Sequence, residues 1–211
     1  MDKYTFVLAS SNNNKIREFR QILCEKAIVL LGEGAPDIEI LSLSDIGFND
    51  DIVEDGATFE ENAMIKARAV SAYTDLPCIA DDSGLEVDAL GGEPGIYSAR
   101  YSGEHGNDEA NIDKLLSKMK DVEDRSAQFV SSVAYCAKTG DNFVVRGEAH
   151  GYILQEKRGN NGFGYDPVFE CAIHHRSYAE LSSDEKNSIS HRRRAIEKLA
   201  EIIFKTDKRG N

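Results

Sequence analysis

From Ala127 to Phe169 the chain reads mostly as strand, while on either side strand and helix patterns interleave. Ala127, Phe129, Ser131, Val133 and Tyr135 recur at a period of two, the spacing of one face of a pleated strand. Phe143 to Ala149 and Tyr152 to Gln155 read as its neighbours. Tyr4 to Ala9 predicts a first strand and Ile38 to Leu43 a second. Helical spacing follows the polar run Ser10 to Lys15, where Ile16, Phe19 and Leu23 share a face. It returns at Ile112, Leu115, Leu116 and Met119 behind a capping Asn107, and at Ile196, Leu199, Ala200 and Ile203. Thr58 and Glu61 have capping-box spacing, which predicts a helix running to about Tyr73. This mixture predicts an α/β fold with a mixed, partly antiparallel central sheet flanked by helices, and not a purely doubly wound one.

At 211 residues the chain suits one domain with a substantial core. No repeat or long linker divides it, so residues 1–211 are expected to form a single domain. Gly32 to Pro36 and Asp121 to Asp124 are turns, and Thr206 to Asn211 is expected to be a frayed polar tail. No apolar stretch reaches the length of a membrane span, and the first residues lack a signal peptide's pattern, so a cytoplasmic location is expected. Cys24, Cys78, Cys136 and Cys171 are scattered without a C-x-x-C pair, which favours reduced, mostly buried thiols over disulfides or a zinc site. A net charge of −12 argues against extended nucleic-acid binding but is compatible with one small phosphorylated ligand.

Chemistry concentrates in five places. Cys78-Ile79-Ala80 reads as a short buried strand, broken by Ser83-Gly84, that ends in Asp81 and Asp82. Adjacent strand residues point to opposite faces, so one carboxylate can meet a metal while the other braces a loop; a solvated acidic turn is the plain alternative. Ser10, Ser11, Asn12 and Lys15 precede a helix, where backbone N–H groups and an ammonium can converge on phosphate, although a simple capping loop has the same form. Glu54-Asp55-Gly56 is followed by Glu61, Asn62 and Lys66; Glu54 is a plausible metal ligand, whereas Glu61 fits a cap and Lys66 a solvated lysine. In Gly162-Phe163-Gly164-Tyr165-Asp166 two glycines flank an aromatic that can stack on a nucleobase or pack into a core. Lys186, His191 and Arg192 surround a second capping-box pattern, Ser182 and Glu185, and supply hydrogen-bond donors. Arg193 and Arg194 fit a solvated helix face, and Cys171 to His175 fits a surface loop.

Four segments in this order resemble the inosine/xanthosine triphosphate pyrophosphatases, the Ham1-like family: Ala80 to Leu85, Gly91 to Tyr101, Phe163 to Pro167 and Ser190 to Arg192. The resemblance extends from Val7 to about Leu199. It implies hydrolysis of ITP, dITP and XTP to monophosphate and pyrophosphate, a Mg²⁺ requirement, a homodimer, and an elongated, two-lobed domain with a deep active-site cleft. Matched by position, Asp82 would be the general base and a metal ligand, Glu54 a second metal ligand, and Asp81 a support. Ser10, Ser11, Asn12, Lys15 and Lys66 would hold phosphates, and Ser83 would touch the substrate. Phe163 would stack on the base, Gly164, Tyr165 and Asp166 would shape its pocket, and Lys186, His191 and Arg192 would line its recognition edge. Ser11 stands where many members have glycine, so its side chain bears on the geometry of the phosphate loop. The alternatives are a Maf-like pyrophosphatase acting on modified pyrimidine nucleotides, echoed in Leu8-Ala9-Ser10, and a nucleotide sensor without turnover.

Overall fold

The computed structural model describes residues 3–137 and 140–207. Strands β1 (Lys3–Leu8), β2 (Asp37–Leu41), β3 (Cys78–Val87), β4 (Ser126–Cys136), β5 (Asn142–Ile153) and β6 (Phe169–Cys171) form one sheet in the order β2-β1-β3-β4-β5-β6. Helices α1 (Asn13–Leu31), α2 (Phe59–Tyr73), α3 (Asp108–Lys118), α4 (Ser183–Ile189) and α5 (His191–Asp207) connect and flank it. β1 pairs in parallel with β2 and β3, and β5 pairs antiparallel with β6, so the sheet is mixed as expected. The chain divides into two compact units: residues 1–82, 132–147 and 193–211 form the first, and residues 83–131 and 148–192 the second. β3, β4 and β5 each supply residues to both.

The core of the first unit follows from the alternation of β1. Phe6 and Leu8 pack with Phe19 and Leu23 of α1 and Leu199 and Phe204 of α5. Val7, pointing the other way, packs with Val70 of α2, Phe48 and Cys78. A strand covered on both faces has no polar side, hence the run Phe6-Val7-Leu8. Further along α2, Ala63 and Ala67 bury against Ala80, Ala134 and Cys136. Residues this small let the helix lie close to the sheet, and that distance brings the next residues of α2 within reach of β3. In the second unit Leu85, Val87, Ile112, Leu115, Met119, Phe169 and Tyr178 surround Phe129. The Phe129 ring lies parallel to Tyr178 at 5.6 Å and meets Phe169 edge-on at 4.7 Å.

Several element boundaries differ from expectation, each for a local reason. Ser83-Gly84 does not break β3, which continues to Val87 because Leu85 and Val87 are fully buried. Asp81 and Asp82 therefore lie inside a strand, not at its end. The two short strands expected near residue 150 are one, β5, with Gly151 inside it. Gly151 pairs with Cys171, and a side chain there would run into the Glu170 carbonyl and the Phe169 ring, so glycine permits the close pairing with β6. Cys171 accordingly is buried at the end of β6 and not in a surface loop. α1 begins at Asn13, inside the run read as loop. Thr206 and Asp207 continue α5; the remainder of the expected tail, residues 208–211, lies outside the described residues.

All four cysteines are free thiols, three of them buried and Cys24 half-buried. Burial, reinforced by neighbouring Cys136, pushes the Cys78 thiol up to about 12. Since the thiolate is the reacting species, Cys78 stays protonated and inert near neutrality. At pH 8 a disulfide reagent is expected to modify one thiol per native chain, slowly, because burial also raises Cys24. The other three should react only after denaturation, and rapid native-state release of more than one equivalent would contradict this burial.

Candidate active site

The acidic pair of β3 is divided between two lysines. Asp81 is buried and takes a 2.7 Å hydrogen bond from Lys15 Nζ of α1. Asp82, one residue on and facing oppositely, takes a 3.1 Å bond from Lys66 Nζ of α2. The same ammonium reaches Glu54 at 2.7 Å, so Lys66 bridges a loop carboxylate and a strand carboxylate. Its side chain is only 12% exposed, which removes the reading of a solvated lysine. Burial opposes the charge on Lys66, but Asp82, then Glu54 and Asp81, outweigh it and lift its pKa above the usual lysine value. Burial raises the Asp82 carboxyl in turn; Lys66 offsets part of this, while Glu54 and Asp81 add to it.

Three carboxylates thus share two ammonium groups, leaving excess negative charge among hard oxygen donors. That donor set suits Mg²⁺, which takes one or two protein carboxylates and fills its other positions with water and phosphate oxygens. Among the described residues no group of three or more His, Cys, Asp or Glu side chains is arranged as an all-protein metal cage. The two-carboxylate site is the kind that magnesium uses with a phosphorylated substrate. A divalent cation between Glu54 and Asp82 would favour the ionised form of Asp82 against its burial.

Lys15 is placed by the start of α1. Asn12 Oδ1 accepts the Lys15 N–H at 3.2 Å, and Ser10 Oγ accepts the Asn12 N–H at 3.1 Å. Ser11 is exposed between them. The loop that carries Glu54 is fixed by the first turn of α2. Thr58 Oγ1 accepts the Glu61 N–H, and the Glu61 carboxylate accepts the Ala57 N–H at 2.6 Å. The expected capping box is therefore half formed, with the return bond one residue earlier than Thr58.

In the second unit, Ser83 Oγ accepts a 3.2 Å bond from buried Arg192. His191 is buried as well, with its ring parallel to Phe129 at 5.1 Å. α4 opens with the predicted capping box of Ser182 and Glu185, and these bonds, with Arg176, hold the Glu185 carboxyl down at about 2. From α4, Lys186 pairs with buried Asp166 and places its ammonium 4.5 Å from the centre of the Phe163 ring. Phe163 is 66% exposed, so it is not a core aromatic. It lines a cavity of about 450 Å³ with Asp108, Lys157, Asn160 and Gly164.

The loop under Phe163 is pinned at three points. Asp166 Oδ2 accepts the Phe163 N–H at 2.9 Å, Asp108 Oδ2 accepts the Gly164 N–H at 2.7 Å, and Tyr165 OH donates to the Ser98 carbonyl at 3.0 Å. Ser98 Oγ also accepts the Leu85 N–H at 2.9 Å, tying the Gly91 to Tyr101 segment to β3. Burial raises the Tyr165 phenol, which stays a neutral donor. Asp108 and Ser98 escaped the sequence reading: Asp108 looks like an ordinary first-turn acid behind Asn107, and Ser98 is one letter in a glycine-rich segment. The predicted residues thus fall into two sets. Ser10, Ser11, Asn12, Lys15, Glu54, Lys66, Asp81 and Asp82 belong to the first unit, and Ser83, Phe163, Gly164, Tyr165, Asp166, Lys186, His191 and Arg192 to the second. Arg193 is no solvated bystander, since it pairs with Glu25 at 2.7 Å and with Glu197 at 3.2 Å.

Gly162 gives a direct test of this bracing. Its φ is +79°, and an added Cβ would fall on the Asp166 carboxylate. Gly162→Ala is expected to cost roughly 1–3 kcal/mol, read as a drop of about 2–10 °C in the thermal unfolding midpoint. An unchanged midpoint would mean that Asp166 does not hold the loop.

The chain matches the Ham1 family over residues 6–202. It is 46% identical over 206 residues to the dITP/XTP pyrophosphatase of Clostridium perfringens, covering 94% of this chain and 96% of the relative. It is 48% identical over 199 residues to the dITP/XTP pyrophosphatase of Bacillus licheniformis, covering 93% and 96%. Among solved structures, the Ham1 protein of Staphylococcus aureus superposes with a TM-score of 0.84 at 42% identity, covering 94% of this chain and 97% of that one. The HAM1 protein of Coxiella burnetii gives a TM-score of 0.85 at 38% identity, covering 96% and 99%. With most of its length matched in sequence and in fold, this chain belongs to the Ham1 family.

Proposed function

We propose that the protein hydrolyses the non-canonical purine nucleoside triphosphates ITP, dITP and XTP to the monophosphate and pyrophosphate, with Mg²⁺ as cofactor. The observation that carries this reading is the junction of Glu54 and Asp82 on Lys66, beside the Asp81–Lys15 pair. The dITP/XTP pyrophosphatases named among its relatives support the substrate class.

Glu54 and Asp82 would hold the Mg²⁺, whose chemistry there would be Lewis-acid activation of water and countercharge for the triphosphate. Asp82 is the general base: its carboxylate orients that water and takes its proton. Asp81 holds the Lys15 ammonium in place. Lys15 and Lys66 neutralise charge on the triphosphate, with Ser10, Ser11, Asn12 and the N-terminus of α1 as further phosphate donors. Ser83 contacts the substrate beside Asp82, and Phe163 stacks on the base, with Gly164, Tyr165 and Asp166 shaping its pocket. Lys186, His191 and Arg192 present donors to the 6-oxo group of hypoxanthine or xanthine. Adenine's amino group at that position would leave those donors unpaired, a mismatch able to discriminate by a factor on the order of 10⁴.

The setting is the cytoplasm and the active form a homodimer, with the nucleotide as the partner and no membrane or nucleic acid involved. The resemblance supports the dimer. Free cysteines fit a reducing compartment, and no helix among the described residues is long and apolar enough to cross a membrane. The family match does not favour the Maf-like reading. The full set of carboxylates and lysines argues against a sensor that never turns over.

Incubation with Mg²⁺ and ITP, XTP, ATP or GTP separately, followed by direct assay of pyrophosphate and orthophosphate, tests this reading. Pyrophosphate from ITP and XTP with little from ATP and GTP is expected. Orthophosphate as the primary product would contradict the cleaved bond, and equal turnover of ATP would contradict the donor edge.

A further inference from the structure

The Glu54 loop is clamped from below by a side chain with no assigned role. Asn62 is buried, at 2% exposure, on the inner face of α2. Its Oδ1 accepts the Gly56 N–H at 2.9 Å, two residues beyond Glu54. Gly56 passes so close to the helix that an added Cβ would lie 2.7 Å from Glu61 Cβ and 2.8 Å from Asn62 Oδ1. Asn62 and Lys66 are four residues apart, so they stand one above the other on one face of α2. One helical face therefore carries both the group that anchors the loop backbone and the ammonium that meets the loop's carboxylate, Glu54 Oε2, at 2.7 Å.

We infer that Asn62 is a positioning residue for the divalent-cation site: by accepting the Gly56 N–H it fixes the Glu54 carboxylate opposite Asp82. This rests on the proposed role of Glu54 as a metal ligand. Thr58 and Glu61 order the start of α2 and hold Ala57, whereas Asn62 reaches back to Gly56. An amide is suited to this task because it accepts the N–H without adding a fourth negative charge to Glu54, Asp81 and Asp82. Groups that orient a metal ligand from behind are worth about 10- to 100-fold in metal affinity.

The test is Mn²⁺ binding to the full-length protein, followed by electron paramagnetic resonance of the free ion. Glu54→Gln is expected to weaken Mn²⁺ binding, and Asn62→Ala to weaken it about tenfold or more. In a Glu54→Gln background Asn62→Ala should add little, because its effect passes through Glu54. Asn62→Ser, too short to reach Gly56, serves the same comparison where the alanine variant does not accumulate as folded protein.

Parent-like Mn²⁺ affinity in folded Asn62→Ala or Asn62→Ser, with Glu54→Gln impaired, would overturn the inference alone. Equal losses in both backgrounds would do so too, since the role would then be general to the fold. Parent-like affinity in Glu54→Gln would overturn the metal assignment itself, and the inference with it.

Discussion

One ammonium group organises the first unit's chemistry. Lys66 is nearly buried, and its charge is sustained there by Asp82 and Glu54, with Asp81 adding to them. A buried ion paired on two sides is expensive to break from either end, since the partner left behind remains in a poorly solvated place. The junction ties α2, the loop before it and β3 into one arrangement. The alanines of α2 make it possible: Ala63 and Ala67 against Ala80 and Ala134 bring the helix near enough for a lysine to meet a strand carboxylate. A larger residue at those positions would overpack the contact and move Lys66 off Asp82.

The second unit meets a different requirement, a rigid but accessible aromatic. An exposed ring on a glycine-rich loop would ordinarily wander, and the structure prevents this with backbone anchors. Asp166, Asp108 and Ser98 each hold a different point of the segment around Phe163, and Asp166 also pairs with Lys186. The glycines that let the loop turn at positive φ thus cost little order. Asp166 has two tasks at once, so its loss would disturb both the ring and the lysine above it.

Much of this was legible in the sequence because it follows from short-range rules. The period-two run of β4, the helical spacing of α3 and the capping boxes predicted their elements. The opposite orientations of Asp81 and Asp82 required only that they be neighbours in a strand. What escaped depended on distant partners. Ser83-Gly84 reads as a breaker unless the burial of Leu85 and Val87 is known, and Gly151 reads as a gap unless β6 is known to lie against it. Lys66 alone is indistinguishable from a solvated lysine, because its burial depends on α2 lying close to the sheet and on carboxylates from a loop and from β3. Asn62 stood in a recognised constellation, but its bond to Gly56 depends on how the preceding loop folds back on the helix. The assignment of roles within the site rested on resemblance, and the geometry adds which groups those side chains actually meet.

The claim on which the mechanism depends is that Asp82 acts on the attacking water and not merely as a partner for Lys66. Asn at position 82 preserves shape and an acceptor oxygen but removes the base. Comparing ITP binding by calorimetry with single-turnover pyrophosphate release in Asp82→Asn separates the two roles. ITP affinity within a few-fold of the parent and a rate lower by a factor on the order of 10³ are expected. A rate within a few-fold of the parent would contradict this and remove Asp82 from the chemistry.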